Sequence, residues 1–253
     1  MKNRTLSIML MGLVMLMACN TQPQAVEESQ NESADVTTTS SVSAHVLNVL
    51  SEEEKASGWQ LLFDGKSTDG WHSFQKEQLE GWQVVDGTLY TPGKNGDIVT
   101  DKEYENFEFT AEWKIQEKGN SGIFFYVVES PKYKRTYETG PEFQIIDDEN
   151  YPQKLKDSQK TGANSDVQAP AMFPSNKPGE WNTTRILVNK GHVEHWLNGK
   201  QILEYEFDSP EWKTLVARSK FAGLDYAKVR KGHIAFQDHG DPVAYRNIKI
   251  REL

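Results

Sequence analysis

One cysteine, Cys19, stands in 253 residues, so no internal disulfide framework holds this chain. Basic residues are outnumbered: 28 Lys and Arg face 37 Asp and Glu, a formal net charge of −9. A general nucleic-acid binder needs clustered Lys and Arg, and that class is excluded. No segment repeats at a fixed period, and no Gly-x-Ser-x-Gly elbow occurs. With the sole Cys near the N-terminus, serine and cysteine hydrolase chemistry lacks its nucleophile in a suitable setting. What is present fits a soluble globular protein, 37% apolar and 26% charged. Eleven Phe, nine Tyr and seven Trp favour strands and surfaces on which sugars stack.

The N-terminus reads as an address. Lys2 and Arg4 precede an apolar run from Leu6 to Ala18, too short and wrongly flanked for a stable membrane span. The run closes with Leu16-Met17-Ala18-Cys19, which resembles a bacterial lipobox, and the resemblance implies cleavage before Cys19 and lipidation of its thiol. Residues 1–18 are thus expected to be a signal peptide. Residues 19–45, rich in Gln, Glu, Ser, Thr and Asn without an aromatic, are expected to form a flexible tether. The expected location is the bacterial cell envelope, on the periplasmic face or the cell surface, with the membrane a partner through the lipid.

From residue 46 to 253 the chain reads as one all-β domain. In Phe107–Ile115 the odd positions are apolar and the even ones polar, the period of a half-buried strand. Further strands are predicted at 123–128, 142–146, 184–188, 193–197, 201–207, 233–238 and 243–250. Asn198-Gly199 predicts a type I′ hairpin. Ser209-Pro210-Glu211 predicts a helix start, with Trp212, Leu215 and Val216 as its apolar face. Ser51-Glu52-Glu53-Glu54 has the form of another start, but the segment is short. Many antiparallel strands with one short helix imply a jelly-roll sandwich of two antiparallel sheets, with a curved face open to an extended ligand.

Several phrases recur in order: Leu62-Phe63-Asp64-Gly65-Lys66, Trp82-Gln83-Val84-Val85-Asp86-Gly87, Gly119-Asn120-Ser121-Gly122-Ile123-Phe124-Phe125, Tyr137-Glu138-Thr139-Gly140-Pro141-Glu142-Phe143-Gln144, Gly179-Glu180-Trp181-Asn182, His195-Trp196-Leu197-Asn198-Gly199 and Gly232-His233-Ile234-Ala235-Phe236-Gln237-Asp238-His239-Gly240. Together they resemble the 3-keto-disaccharide hydrolase family from about Leu61 to Leu253. The resemblance implies a concanavalin-like (laminarinase-like) fold, an exported or lipid-anchored enzyme, and action on oxidised sugars. Two departures stand out: Tyr126 occupies a position where the family often has Arg, and Asn164-Ser165-Asp166 one where it usually has an aromatic.

Glu142 and Gln144 share one face of their strand, side by side, as hydrogen bonding to a sugar requires. Gln144 stands where a laminarinase-like glycosidase has a second carboxylate and cannot serve as nucleophile or acid, which weighs against retaining hydrolysis. His233, Ala235, Gln237 and His239 share a face of another strand, and imidazole is the side chain that changes charge near neutrality. On a 3-keto sugar the ketone acidifies the C2 hydrogen, so a base and an acid suffice for elimination, and water then adds to the enone. Glu142 and His239 are the expected catalytic pair, in either order. Gln144, Gln237, Asp147, Trp181, Glu138 and His233 are the expected substrate-binding residues, with an oligosaccharide or oxidised glycoside as substrate. The plainer reading of Glu142 is an ion pair with Arg185.

No cofactor is required by this chemistry. Calcium is the one ion the residues suggest, through the hard oxygens of Asp147-Asp148-Glu149-Asn150, which a surface turn explains equally well. His192 and His195 fall on opposite strand faces and cannot grip one zinc ion in regular geometry. Gly119-Asn120-Ser121-Gly122 leads into a strand rather than a helix, so it is not a phosphate loop. Two other functions fit the residues: a non-catalytic carbohydrate-binding lipoprotein, and a laminarinase-like glycosidase acting on unoxidised glycans.

Overall fold

The computed structural model describes residues 46–253; the expected signal, Cys19 and the tether lie outside the described residues. Among the described residues there are thirteen strands: β1 (Gln60–Leu61), β2 (Trp71–Ser73), β3 (Gln83–Val85), β4 (Thr88–Thr91), β5 (Ile98–Tyr104), β6 (Phe107–Ile115), β7 (Asn120–Val127), β8 (Glu142–Ile146), β9 (Asn182–Asn189), β10 (His192–Leu197), β11 (Lys200–Glu206), β12 (Gly232–Phe236) and β13 (Val243–Glu252). Two helices accompany them, the five-residue α1 (Glu52–Ala56) and the nine-residue α2 (Pro210–Arg218). Ser51 caps α1 in a capping box with Glu54, and Ser209 caps α2 by accepting from the Trp212 amide. No described helix is long and apolar enough to cross a membrane.

The strands form two antiparallel sheets. One runs β11-β10-β9-β6-β13-β4-β3, with β1 added on β13, and the other runs β2-β5-β12-β7-β8. The sandwich inferred from the alternating runs is therefore the fold. Strand β6 spans the predicted residues, and its odd positions are buried in the core. Its even positions carry charges that pair across the outer face: Arg185 and Arg251 hold Glu108, and Arg246 Nε lies 2.7 Å from Glu112. Arg185 is thus committed to this sheet and does not meet Glu142 as an ion pair. Asn198 and Gly199 have φ of 49° and 77°, the positive pair that a type I′ hairpin needs between β10 and β11.

Aromatic rings fill the space between the sheets. Phe236 of β12 stacks on Tyr245 of β13 at 3.9 Å and on Trp71 of β2 at 4.7 Å. Each such pair adds about 0.5–1.5 kcal/mol beyond area burial. The five-stranded sheet has one irregularity that matters for function. Its pairing shifts register between His233 and Ala235, and the opposing Tyr126 has φ of 59°. This bulge turns both Phe125 and Tyr126 into the core, where the Tyr126 hydroxyl donates to the Glu105 carbonyl at 2.6 Å. The substitution of Tyr for the family's Arg is therefore absorbed in the core, away from the open face. The extra residue lies on β7, so β12 keeps its alternation, with Ile234 and Phe236 in the core and Ala235 on the other face, and the strand stops at Phe236 rather than continuing to Asp238.

Candidate active site

Phe143 and Ile145 of β8 point into the core, which turns Glu142 and Gln144 onto the other face of the five-stranded sheet. There they line a hollow of about 390 Å³ together with Asn120, Tyr137, Tyr151, Ser165, Lys220, Gln237 and His239. Glu142 and His239, which lie on separate segments, thus share one hollow, as do Gln144 and Gln237.

Glu142 is only 3% exposed, and its Oε1 has no hydrogen-bond partner. Burial pushes its carboxyl up to about 7, against the pull of Lys220 and the Ser165 hydroxyl; the nearby Asp97 and Asp166 add to the rise. A buried carboxyl with one oxygen unpartnered is costly unless a ligand completes it, and such groups concentrate at functional sites. Two more buried acceptors in the same hollow lack partners, Asn120 Oδ1 and Gln237 Oε1. The space beside Glu142 exists because residue 122 is glycine: a Cβ there would lie 2.3 Å from Glu142 Oε1. The Gly119–Gly122 phrase therefore clears room for a carboxylate rather than cradling an anion.

Backbone bonds fix the other side of the hollow. The Gln237 amide donates to the Gly122 carbonyl at 2.9 Å, and the Ser121 hydroxyl donates to the Gln237 carbonyl at 2.7 Å. Asp238 accepts from Thr91, from the amides of Lys94 and Asn95, and from Gly240, so the loop carrying His239 is tied down. Asp97, absent from the residues singled out in the sequence, accepts the Asp238 amide at 3.0 Å and the Thr136 hydroxyl at 2.5 Å. It thereby anchors the loops bearing His239 and Tyr137 to one point; burial raises its own carboxyl. Lys220 was also missed. It sits after α2, contacts Asp166 at 2.6 Å, and brings the hollow a cation.

Gln144 lines the hollow but is partly engaged: its amide Nε2 donates to Ser165 at 3.2 Å, and its Oε1 accepts from the Ile145 amide. Four other expected binding residues stand away from the hollow. Asp147 accepts from the amides of Lys118, Glu149 and Asn150. Burial works against its charge, but those bonds outweigh it and hold the carboxyl below the usual range. Asp148 likewise accepts from the Thr161 amide and from Ser175. The Asp147–Asn150 turn thus spends its oxygens on its own donors, which does not fit a calcium site, and among the described residues no group of three or more His, Cys, Asp or Glu is arranged to hold a metal ion. Trp181 stands just before β9 and packs on the eight-stranded sheet, with the Arg246 guanidinium 3.9 Å and the Lys114 ammonium 4.9 Å from its ring centre. Glu138 accepts from the Lys134 amide within its own loop.

His233 lies further along the same sheet face, in a second polar cluster. Its Nδ1 donates to the Thr100 carbonyl at 2.6 Å, and its Nε2 lies 3.9 Å from Glu129. His72 bridges Asp101 at 2.6 Å and Glu129 at 2.8 Å. Here each imidazole has partners. A larger hollow, about 630 Å³, lies against the eight-stranded sheet, but its carboxylates are either paired, Glu54 with Lys249 and Glu112 with Arg246, or exposed, as Glu53 is, and its one buried unpartnered atom is the Thr110 hydroxyl. Size alone does not mark the site; a buried carboxylate oxygen without a partner does.

A sandwich whose open face presents a buried acid, amides and an imidazole around one hollow defines a carbohydrate-active enzyme of the glycoside-hydrolase type. The chain belongs to the 3-keto-alpha-glucoside-1,2-lyase-like family, whose model matches residues 58–251. It is 31% identical to a 3-keto-disaccharide hydrolase of Bacteroides thetaiotaomicron, over 94% of both chains. It is similar to the crystal structure of a protein from Parabacteroides distasonis, provisionally named a glycosyl hydrolase, with 45% identity, a TM-score of 0.80, and coverage of 82% of this chain and 100% of that one. A second Parabacteroides distasonis structure of the same provisional name matches at 31% identity and a TM-score of 0.60, covering 77% of this chain and 99% of that one.

Proposed function

We propose that this enzyme cleaves 3-keto-glycosides, including 3-keto-disaccharides, by elimination followed by hydration. The observation that carries the reading is the buried carboxyl of Glu142, its Oε1 without a partner, in a hollow that it shares with His239. An acid held near 7 is a competent general base at neutral pH. The C3 ketone makes the C2 hydrogen removable; Glu142 takes it, and the electron pair passes to the carbonyl oxygen as an enolate. Lys220 supplies positive charge, and the side-chain Nε2 of Gln237 a donor, for that oxygen. The pair then returns to form the C1=C2 bond while the C1–O bond breaks, and the departing oxygen takes a proton from His239. Water adds at C1 and a proton at C2, so the net result is hydrolysis to a 3-keto sugar and an alcohol.

The alternative of ordinary glycoside hydrolysis needs a second free carboxylate. Among the described residues, Asp166 in the hollow is bound to Lys220 and Gln159, and Asp97 beside it to Thr136 and the Asp238 amide. Neither is available as Glu142 is. Incubating the purified domain with a chromogenic glucoside and its 3-keto form tests the reading. Colour from the 3-keto form alone supports it. Colour from the parent glucoside identifies a conventional glycosidase, and binding without release identifies a lectin.

Export and lipidation form part of this proposal, supported by Leu16-Met17-Ala18-Cys19 and the polar stretch that follows. Replacing Cys19→Ser is expected to move the protein from the membrane to the soluble fraction; retention on the membrane would contradict the anchor.

A further inference from the structure

Beside the hollow that holds Glu142 lies another of about 480 Å³, and the two share Tyr137, Gln237 and His239. Both volumes fall in the range of small-molecule sites. Their chemistry differs. In the first, Glu142 Oε1 and Asn120 Oδ1 are buried and unpartnered. In the second, the acids are already used: Asp97 and Asp238 accept bonds from Thr136, Thr91 and backbone amides. What the second hollow offers instead is Phe74, packed on the small apolar cluster of Val99, Phe124, Val127 and Ala235, and the exposed guanidinium of Arg135, which has no salt bridge among the described residues. It is equipped to hold a ring by an apolar surface and a cationic donor, but not to move a proton.

We propose that the second hollow is the leaving-group subsite, that it takes a second sugar ring, and that Phe74 and Arg135 set the enzyme's preference for disaccharides over simple alkyl glycosides. This rests on the reading of Glu142 as the base. A pyranose over Glu142 joined to one over Phe74 must carry its glycosidic oxygen across the shared edge, where His239 and Gln237 stand. That placement separates the two proton transfers. Glu142 faces C2 of the ring that becomes the enone, and His239 stands at the oxygen that departs. The C2 proton goes to Glu142, the C1–O bond breaks with its electrons on oxygen, and the His239 proton completes the released alcohol. Tyr137, 36% exposed and common to both hollows, stands between the rings as an aromatic wall.

The test measures kcat/KM for a 3-keto-disaccharide and for methyl 3-keto-glucoside in the wild type, Arg135→Ala and Phe74→Leu, with thermal melting to confirm folding. The ratio of the two values is expected to fall at least tenfold in Arg135→Ala and several-fold in Phe74→Leu, through KM of the disaccharide. Inhibition by the released sugar should weaken in parallel. Cleavage of both substrates at an unchanged ratio, or equal losses on both, would overturn the subsite while leaving the reaction intact. Cleavage of neither by the wild type would instead bring down the functional reading, and the subsite with it.

Discussion

The five-stranded sheet carries two polar clusters on one face, and they differ in what they lack. Around His72 and His233, each ring nitrogen meets a carboxylate or a carbonyl, and Gln75 adds bonds to Glu129, Ser130 and Tyr133 that tie the neighbouring loops. Around Glu142, three buried acceptors have nothing to accept from. Both clusters hold acids and imidazoles, so residue type does not tell them apart. Saturation does: the satisfied cluster stabilises the fold, and the unsatisfied one holds its bonding capacity for a ligand.

The largest expected effect comes from removing the proton acceptor. Glu142→Gln keeps the shape and is expected to lower kcat on a 3-keto-glucoside by about 10²–10⁴-fold. The matching change in the satisfied cluster, His72→Gln, is expected to cost about 1–3 kcal/mol of stability in denaturant unfolding while sparing most turnover. If the two variants exchanged phenotypes, the comparison would be reversed. Next comes Gly122→Ala, whose methyl would lie 2.3 Å from Glu142 Oε1 and displace it. A loss of tenfold or more in kcat, with melting temperature little changed, would sharpen the link between that glycine and the acid.

The pH dependence follows from burial. The Glu142 carboxyl is raised to about 7 from its ordinary value of 4.5. Between these values the folded chain binds more protons than the unfolded chain, so this group makes the protein lose stability as pH rises from about 4.5 to 7. Activity moves oppositely across this window, rising as the base ionises. Urea unfolding across that window should show the wild-type decline flattened in Glu142→Gln. The smallest effect is expected at Trp181→Ala, which removes a ring contacting Arg246 and Lys114 on the other sheet. About 0.5–1 kcal/mol of stability should go, and turnover should hold.

The same contrast between local and long-range order separates what the sequence shows by itself from what only the fold assembles. Strand β6, the Asn198-Gly199 hairpin and the capped α2 were legible because each is set by local periodicity or turn chemistry. The strands between Gln60 and Tyr104 were not singled out; several are two to four residues long and show too little alternation to register. Glu142, Gln144, Gln237 and His239 could be placed because a strand face groups them. Asp97, Tyr137 and Lys220 come from three different connections, and only the stacking order of β5, β12, β7 and β8 gathers them. A signal existed for Tyr137, an aromatic five residues ahead of Glu142, but none for Lys220. His233 does share the face of Gln237 and His239, as alternation predicts, but it stands further along the strand, where the Thr100 carbonyl takes its Nδ1 and Glu129 faces its Nε2; alternation gives the face and not the distance.

The central claim, that Glu142 takes a proton from C2 of a keto sugar before the glycosidic bond breaks, is tested most directly by running the reaction in D2O. The 3-keto sugar released in the first turnovers should carry one deuterium at C2 by NMR, above the exchange of free 3-keto sugar in buffer, and Glu142→Gln should abolish both release and labelling. Release of product with hydrogen retained at C2 would contradict the account.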